Sequence, residues 1–90
     1  MPYEKVIEVI DGDTFKTPTE TIRLENVQAP EKGTPYSRMA KEKLESLILN
    51  KYVRYEVKAR DDYGRAVSQV WVNSSNVNDI MRNYIQRIIP

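Results

Sequence analysis

Hydrophobic and polar positions along the chain follow two different periods, and the switches between them outline the elements. Tyr3 to Ile10 is rich in β-branched and aromatic residues and ends at Asp11-Gly12, a pair suited to tight hairpin turns because glycine accepts positive φ. This predicts a strand over Tyr3–Ile10 and a returning strand over Thr14–Thr17. Pro18 presets φ for another turn, after which Ile22 and Leu24 face one side and Arg23 and Glu25 the other, giving the third strand of a meander. Two prolines and a glycine make residues 27–35 a loop, with Ala29 driven towards extended geometry by Pro30.

The period then lengthens. Tyr36, Ala40, Leu44, Leu47 and Ile48 recur at helical spacing, with Lys41, Glu42 and Glu45 mostly on the opposite face; Ser37 is the expected N-cap, and Asn50 closes the helix in the left-handed conformation. Val53, Tyr55 and Val57 alternate with Tyr52, Arg54 and Glu56, and the β-rich stretch Ala66–Val72 follows a turn at 61–64. From near Asn76, one side of a last helix carries Val77, Ile80, Met81, Tyr84, Ile85 and Ile88. The predicted fold is mainly β with α (α+β): a five-stranded OB-type Greek-key β-barrel with one helix between strands 3 and 4 and a C-terminal helix, a fold that presents a groove to oligonucleotides.

With 90 residues the chain is expected to be a single domain over residues 1–90, since one small core cannot be subdivided. It has no cysteine and no histidine, which excludes thiolate metal sites, imidazole-based triads and His-ligated zinc. Catalysis is left to carboxylates, arginines, tyrosines or a hard metal. A net charge of +1 does not concentrate nucleic acid around the whole molecule, so any such site is local. Charged residues interrupt the apolar N-terminus, and no stretch is long and apolar enough for a membrane span; a soluble, cytoplasmic protein is expected.

Candidate chemistry lies at the turns. Asp11 and Asp13 bracket a glycine and offer oxygen ligands to calcium or magnesium; Asp-Gly is equally a good turn in its own right. Glu31 follows a proline-restricted dipeptide, a fixed position suited to a base that orients water or to a partner of a metal, or else it is a solvated loop residue. Arg23 and Arg65 can direct two planar guanidinium groups at one phosphate; alternatively Arg23 pairs across strands and Arg65 restrains its loop. Tyr36, Tyr52, Tyr55, Tyr63 and Trp71 are candidates for base stacking, with Tyr36, Tyr55 and Trp71 assigned to the core.

Taken together, Val9-Ile10-Asp11-Gly12-Asp13-Thr14, Ile22-Arg23-Leu24, Ala29-Pro30-Glu31, Asp61-Asp62-Tyr63-Gly64-Arg65 and Val77-Asn78 resemble the staphylococcal nuclease family in order and spacing, over nearly the whole chain. The resemblance implies calcium-dependent hydrolysis of DNA or RNA phosphodiesters. In that reading Asp13 is a metal ligand, with the Ala29 backbone carbonyl beside it and Asp11 behind them. Glu31 stands near the attacking water, Arg23 and Arg65 hold the phosphate, and Tyr63 donates a hydrogen bond to substrate.

Two departures carry expectations. Gln28 stands where the family has a second acid, keeping an oxygen but removing a charge, so weak calcium binding is expected, with magnesium or no metal as alternatives. Asp62 stands where the best-known member has a lysine near a terminal phosphate. The family's C-terminal extension is expected to be absent, leaving Ile85, Ile88 and Ile89 as an apolar patch for self-association or a neighbouring domain. Two functions follow: a metal-dependent nuclease, or a catalytically impaired barrel that binds nucleic acid or a protein.

Overall fold

A computed structural model describes all residues from Met1 to Pro90. Its strands are β1 (Tyr3–Lys5), β2 (Glu8–Asp11), β3 (Thr14–Lys16), β4 (Thr21–Leu24), β5 (Tyr52–Arg60), β6 (Ala66–Val72) and β7 (Ser75–Asn76); helix α1 (Pro35–Ile48) lies between β4 and β5, and α2 (Val77–Ile88) ends the fold.

The single strand predicted over Tyr3–Ile10 is broken in two. β1 pairs with β5 and β2 with β3, so the chain changes partner at Val6-Ile7: the Val6 N–H donates to the Lys51 carbonyl and the Ile7 N–H to the Lys16 carbonyl, both at 2.9 Å. Across the sheet the order is β1-β5-β6-β4-β3-β2, and its two edge strands are consecutive in sequence, so residues 3–11 roll the sheet into the expected OB-type barrel. β4 and β6 run parallel, pairing Ile22 with Ala66 and Arg23 with Val67; the other pairs are antiparallel. The short β7 was not predicted. It follows the two-residue loop Asn73-Ser74, both at positive φ as tight hairpins require.

Ile22 and Leu24 enter the core as predicted, together with Ala40, Leu44 and Ile48 of α1 and Val77, Met81 and Ile85 of α2. Other expectations are corrected. Thr34, not Ser37, caps α1: its hydroxyl accepts from the Ser37 N–H at 3.2 Å, and Pro35 begins the helix because it needs no donor there. Asn50 does adopt the left-handed conformation, with φ 64°. Val57 is exposed, because an irregularity between Val57 and Ala59 interrupts the alternation of β5. Tyr36 and Trp71 are half-buried rather than core, whereas Tyr55 is fully buried. Ile85 belongs to the core, which reduces the predicted C-terminal patch to Ile88 and Ile89. No helix is long and apolar enough to cross a membrane.

Asn78, in the first turn of α2, is buried and has every amide group satisfied. It accepts from the Val70 N–H at 2.9 Å and donates to the Ser68 and Glu25 carbonyls at 2.9 and 3.0 Å. It thereby ties α2 to β6 and to the residue after β4, holding in place the strand that carries Arg23.

Candidate functional site

The β2–β3 turn is set by packing. Gly12 does not take positive φ; a Cβ there would lie 2.6 Å from the Ala40 Cβ, so glycine is needed to let the turn sit against α1. Seated this way, Asp13 is only 5% exposed. Its backbone N–H donates to Asp11 Oδ1 at 3.0 Å, and its carbonyl accepts from the Leu24 N–H at 2.7 Å, which brings the end of β4 beside the turn. Both oxygens of its carboxylate have protein partners. Oδ1 accepts from the Thr14 hydroxyl at 2.7 Å and Oδ2 from the Ala29 N–H at 2.9 Å, with Arg23 Nη2 at 3.5 Å.

These contacts separate the two acids electrostatically. Burial raises the pKa of Asp11, and the neighbouring Asp13 carboxylate raises it further. Burial also opposes charge on Asp13, but the Asp11 carboxyl, the Thr14 hydroxyl, the Ala29 N–H and Arg23 outweigh it and hold Asp13 below the ordinary carboxylate range. Of the two, Asp13 gives up its proton the more readily.

Asp11, Asp13, Arg23, Gln28, Ala29, Glu31 and Arg65 line one polar depression of about 300 Å³, so the structure gathers seven of the eight site residues anticipated from sequence. Parallel pairing of β4 with β6 places Arg23 and Arg65 at the same end of the barrel. Arg23 is engaged: besides Asp13 it reaches the Leu24 carbonyl at 3.1 Å and the Gln28 amide oxygen at 3.5 Å. Glu31 is exposed and its carboxylate has no protein partner, while its carbonyl accepts from the Thr34 hydroxyl at 2.8 Å and so ties the loop to the cap of α1.

Arg65 is held from one side. Asp61 Oδ2 accepts from its Nε at 2.6 Å and Asp61 Oδ1 from its N–H at 2.9 Å, leaving both terminal nitrogens without a protein partner. The eighth residue, Tyr63, is 86% exposed at the loop tip and does not line the depression; its ring lies 5.4 Å below the Arg65 guanidinium carbon. Sequence reasoning missed Lys32, which also lines the depression, and the part Asp61 plays. The signal for Asp61 was its place four residues before Arg65 in a glycine turn.

Asp13, Gln28 and Ala29 line the same depression, and each carries an oxygen of the kind a hard divalent cation takes. The set carries one formal charge. No group of three or more acidic side chains gathers close enough to chelate a cation, and Arg23 brings a positive charge to within 3.5 Å of both Asp13 and Gln28.

A sequence profile of staphylococcal nuclease homologues matches residues 21–84. An uncharacterized endonuclease of Escherichia coli is 38% identical over 84 residues, covering 88% of this chain and 55% of its own length. An uncharacterized endonuclease of Haemophilus influenzae is 32% identical, covering 82% of this chain and 44% of its own. A micrococcal nuclease of Shigella flexneri is 29% identical over 90 residues, covering 86% and 52%. The chain thus spans about half the length of these relatives.

Proposed function

The chain belongs to the staphylococcal nuclease family, and from that premise we propose that it hydrolyses phosphodiester bonds of DNA or RNA with the help of a weakly held divalent cation. One observation carries the reading: Arg23, Arg65, Glu31 and the Asp11–Asp13 pair meet in a single depression on a chain that lacks histidine and cysteine.

In this reading the free terminal nitrogens of Arg65 and the guanidinium of Arg23 grip the phosphate and offset the charge that grows on its oxygens during attack. Glu31, unpartnered and beside the phosphate, orients the attacking water and takes its proton. Asp13, Gln28 and the Ala29 carbonyl are the residues that would hold a calcium or magnesium ion. Such an ion, when bound, neutralises phosphate charge and supplies an oriented water.

Incubating single-stranded DNA and RNA with the protein in calcium or in chelator tests the proposal. Cleavage should need the cation, and Arg65→Ala should reduce it by roughly a thousandfold, the scale on which an arginine stabilises a transferring phosphoryl group. Cleavage that resists chelation, or that survives loss of Arg65, would overturn the mechanism. The neutral Gln28 and the contacts of Arg23 with Asp13 and Gln28 favour a second reading, a barrel that binds nucleic acid without cutting it. That reading requires oligonucleotide binding with no cation-dependent product.

A further inference from the structure

A second depression, of about 400 Å³, opens beside the first between the 31–34 loop and the start of α1. Asp11 and Lys32 line both, so the two depressions are neighbours. The second is basic. Lys32, Arg38 and Lys41 line it against the single carboxylate of Asp11, and none of the three takes part in any of the protein's five ion pairs. The Ser37 hydroxyl in the same wall makes no hydrogen bond within the protein, so it too is a free donor. Asp11 is the one carboxylate in the wall, and its Oδ1 already accepts from the Asp13 N–H at 3.0 Å.

On a molecule whose net charge is only +1, three cations outside any ion pair in one groove are a local feature that the overall balance does not require. Arg38 and Lys41 lie three residues apart on α1 and so face the same side. With the neighbouring Lys32 they form a short positive track leading away from the Arg23–Arg65 depression. The ligand matching such a track is a flexible chain with a negative charge at every repeat.

We propose that this groove is a subsite for the sugar–phosphate backbone of a single nucleic-acid strand: phosphates next to the scissile one pair with Lys32, Arg38 and Lys41, which set the track the strand follows. This assignment rests on the Arg23–Arg65 depression, as proposed above, being the place of the scissile phosphate. The groove recognises the backbone and not the bases, so it serves DNA and RNA alike.

The test separates the subsite from the reaction. Fluorescence anisotropy of a labelled eight-nucleotide strand, measured in chelator so that nothing is cut, compares the wild type, the double variant R38Q/K41Q, and K5Q/K16Q/K51Q, which removes exposed cations elsewhere. The groove variant should lose roughly tenfold or more in affinity at about 0.1 M salt. Its plot of log K against log salt should flatten by about 1.4, the value for two lost phosphate contacts on a single strand. The control should keep the wild-type slope to within its own, smaller, non-specific loss.

Turnover of a minimal phosphodiester, a nucleoside 5′-(p-nitrophenyl phosphate), should be equal for R38Q/K41Q and the wild type. Unchanged strand affinity and slope in R38Q/K41Q, or the same loss in the control variant, would overturn the subsite while leaving the nuclease reading standing. A wild type that binds the strand through Arg38 and Lys41 yet turns over no diester would overturn the nuclease reading and leave the groove as a strand-binding surface.

Discussion

The Asp61 carboxylate accepts from the Tyr63 N–H, the Arg65 N–H and the Arg65 Nε, so one side chain shapes the turn and aims the guanidinium it carries. Slight burial opposes its charge, but the Arg65 and Tyr63 donors outweigh this and hold its pKa below the ordinary carboxylate value. Removing it should leave Arg65 present but loosely placed. Asp61→Ala is expected to lower turnover by roughly tenfold to a hundredfold, the scale of a misplacement near 1 Å. KM for a minimal diester should change much less than kcat, and unchanged kinetics would show that Arg65 is aimed by something else. Gln28 calls for the opposite experiment. It lies within 3.5 Å of Arg23 and lines the depression beside Asp13. Gln28→Asp adds a charged oxygen to the donor set and should tighten calcium binding, measured by calorimetry, by roughly tenfold. Equal affinities for the two proteins would place residue 28 outside any cation site.

At the level of elements, most of the architecture could be read from local pattern, and what could not depends on contacts distant in sequence. The periodicity of α1 and α2, the alternation around Ile22 and Leu24, and the left-handed Asn50 are local and were legible. The parallel β4–β6 pair was not, since no local signal announces a partner more than forty residues away, yet it sets Arg23 beside Val67 and so near Arg65. Nor was the break at Val6-Ile7, which exists because the strand serves both edges of the sheet. The site residues were legible as residue types at turns; their convergence was a property of the fold. Gly12 shows how a correct residue can carry the wrong reason, for it is required by the approach of α1 and not by its own φ. That difference is measurable. Gly12→Ala should destabilise the protein by about 1–3 kcal/mol through overpacking against Ala40. Adding Ala40→Gly should recover part of the loss, although glycine within a helix itself costs about 1 kcal/mol. Chemical denaturation of the double-mutant cycle checks this, and strictly additive losses would rule out the contact as the reason for glycine.

Across the whole molecule, the closure of the barrel runs through one buried phenol. The Tyr55 hydroxyl on β5 lies 2.9 Å from a Glu4 oxygen on β1 and 2.8 Å from a Glu20 oxygen in the turn before β4, so it joins three separated stretches of chain. A hydroxyl donates one hydrogen, and two carboxylates compete for it while each is also held elsewhere, Glu4 by the Thr19 hydroxyl at 2.7 Å and Glu20 by Arg60 at 2.8 Å. Burial, then Glu20, then Glu4 all disfavour the phenolate, and the Tyr55 pKa is driven well above its ordinary value. The consequence for stability has a definite sign. In the unfolded chain a tyrosine loses its proton near pH 10, whereas the folded protein keeps it. The stabilisation from Tyr55 is therefore complete below about pH 10 and is lost as pH rises towards the folded value, with a limiting slope of about 1.4 kcal/mol per pH unit for one proton. Tyr55→Phe removes that titration. Urea unfolding from pH 9 to 11.5 should show the wild type losing stability more steeply than the variant above pH 10, while parallel curves would mean that the phenol ionises equally in both states and that Glu4 and Glu20 do not bear on it. Because Glu4 on β1 and Glu20 before β4 meet at the same hydroxyl, the titration reports on how β1, β5 and the turn before β4 are held together.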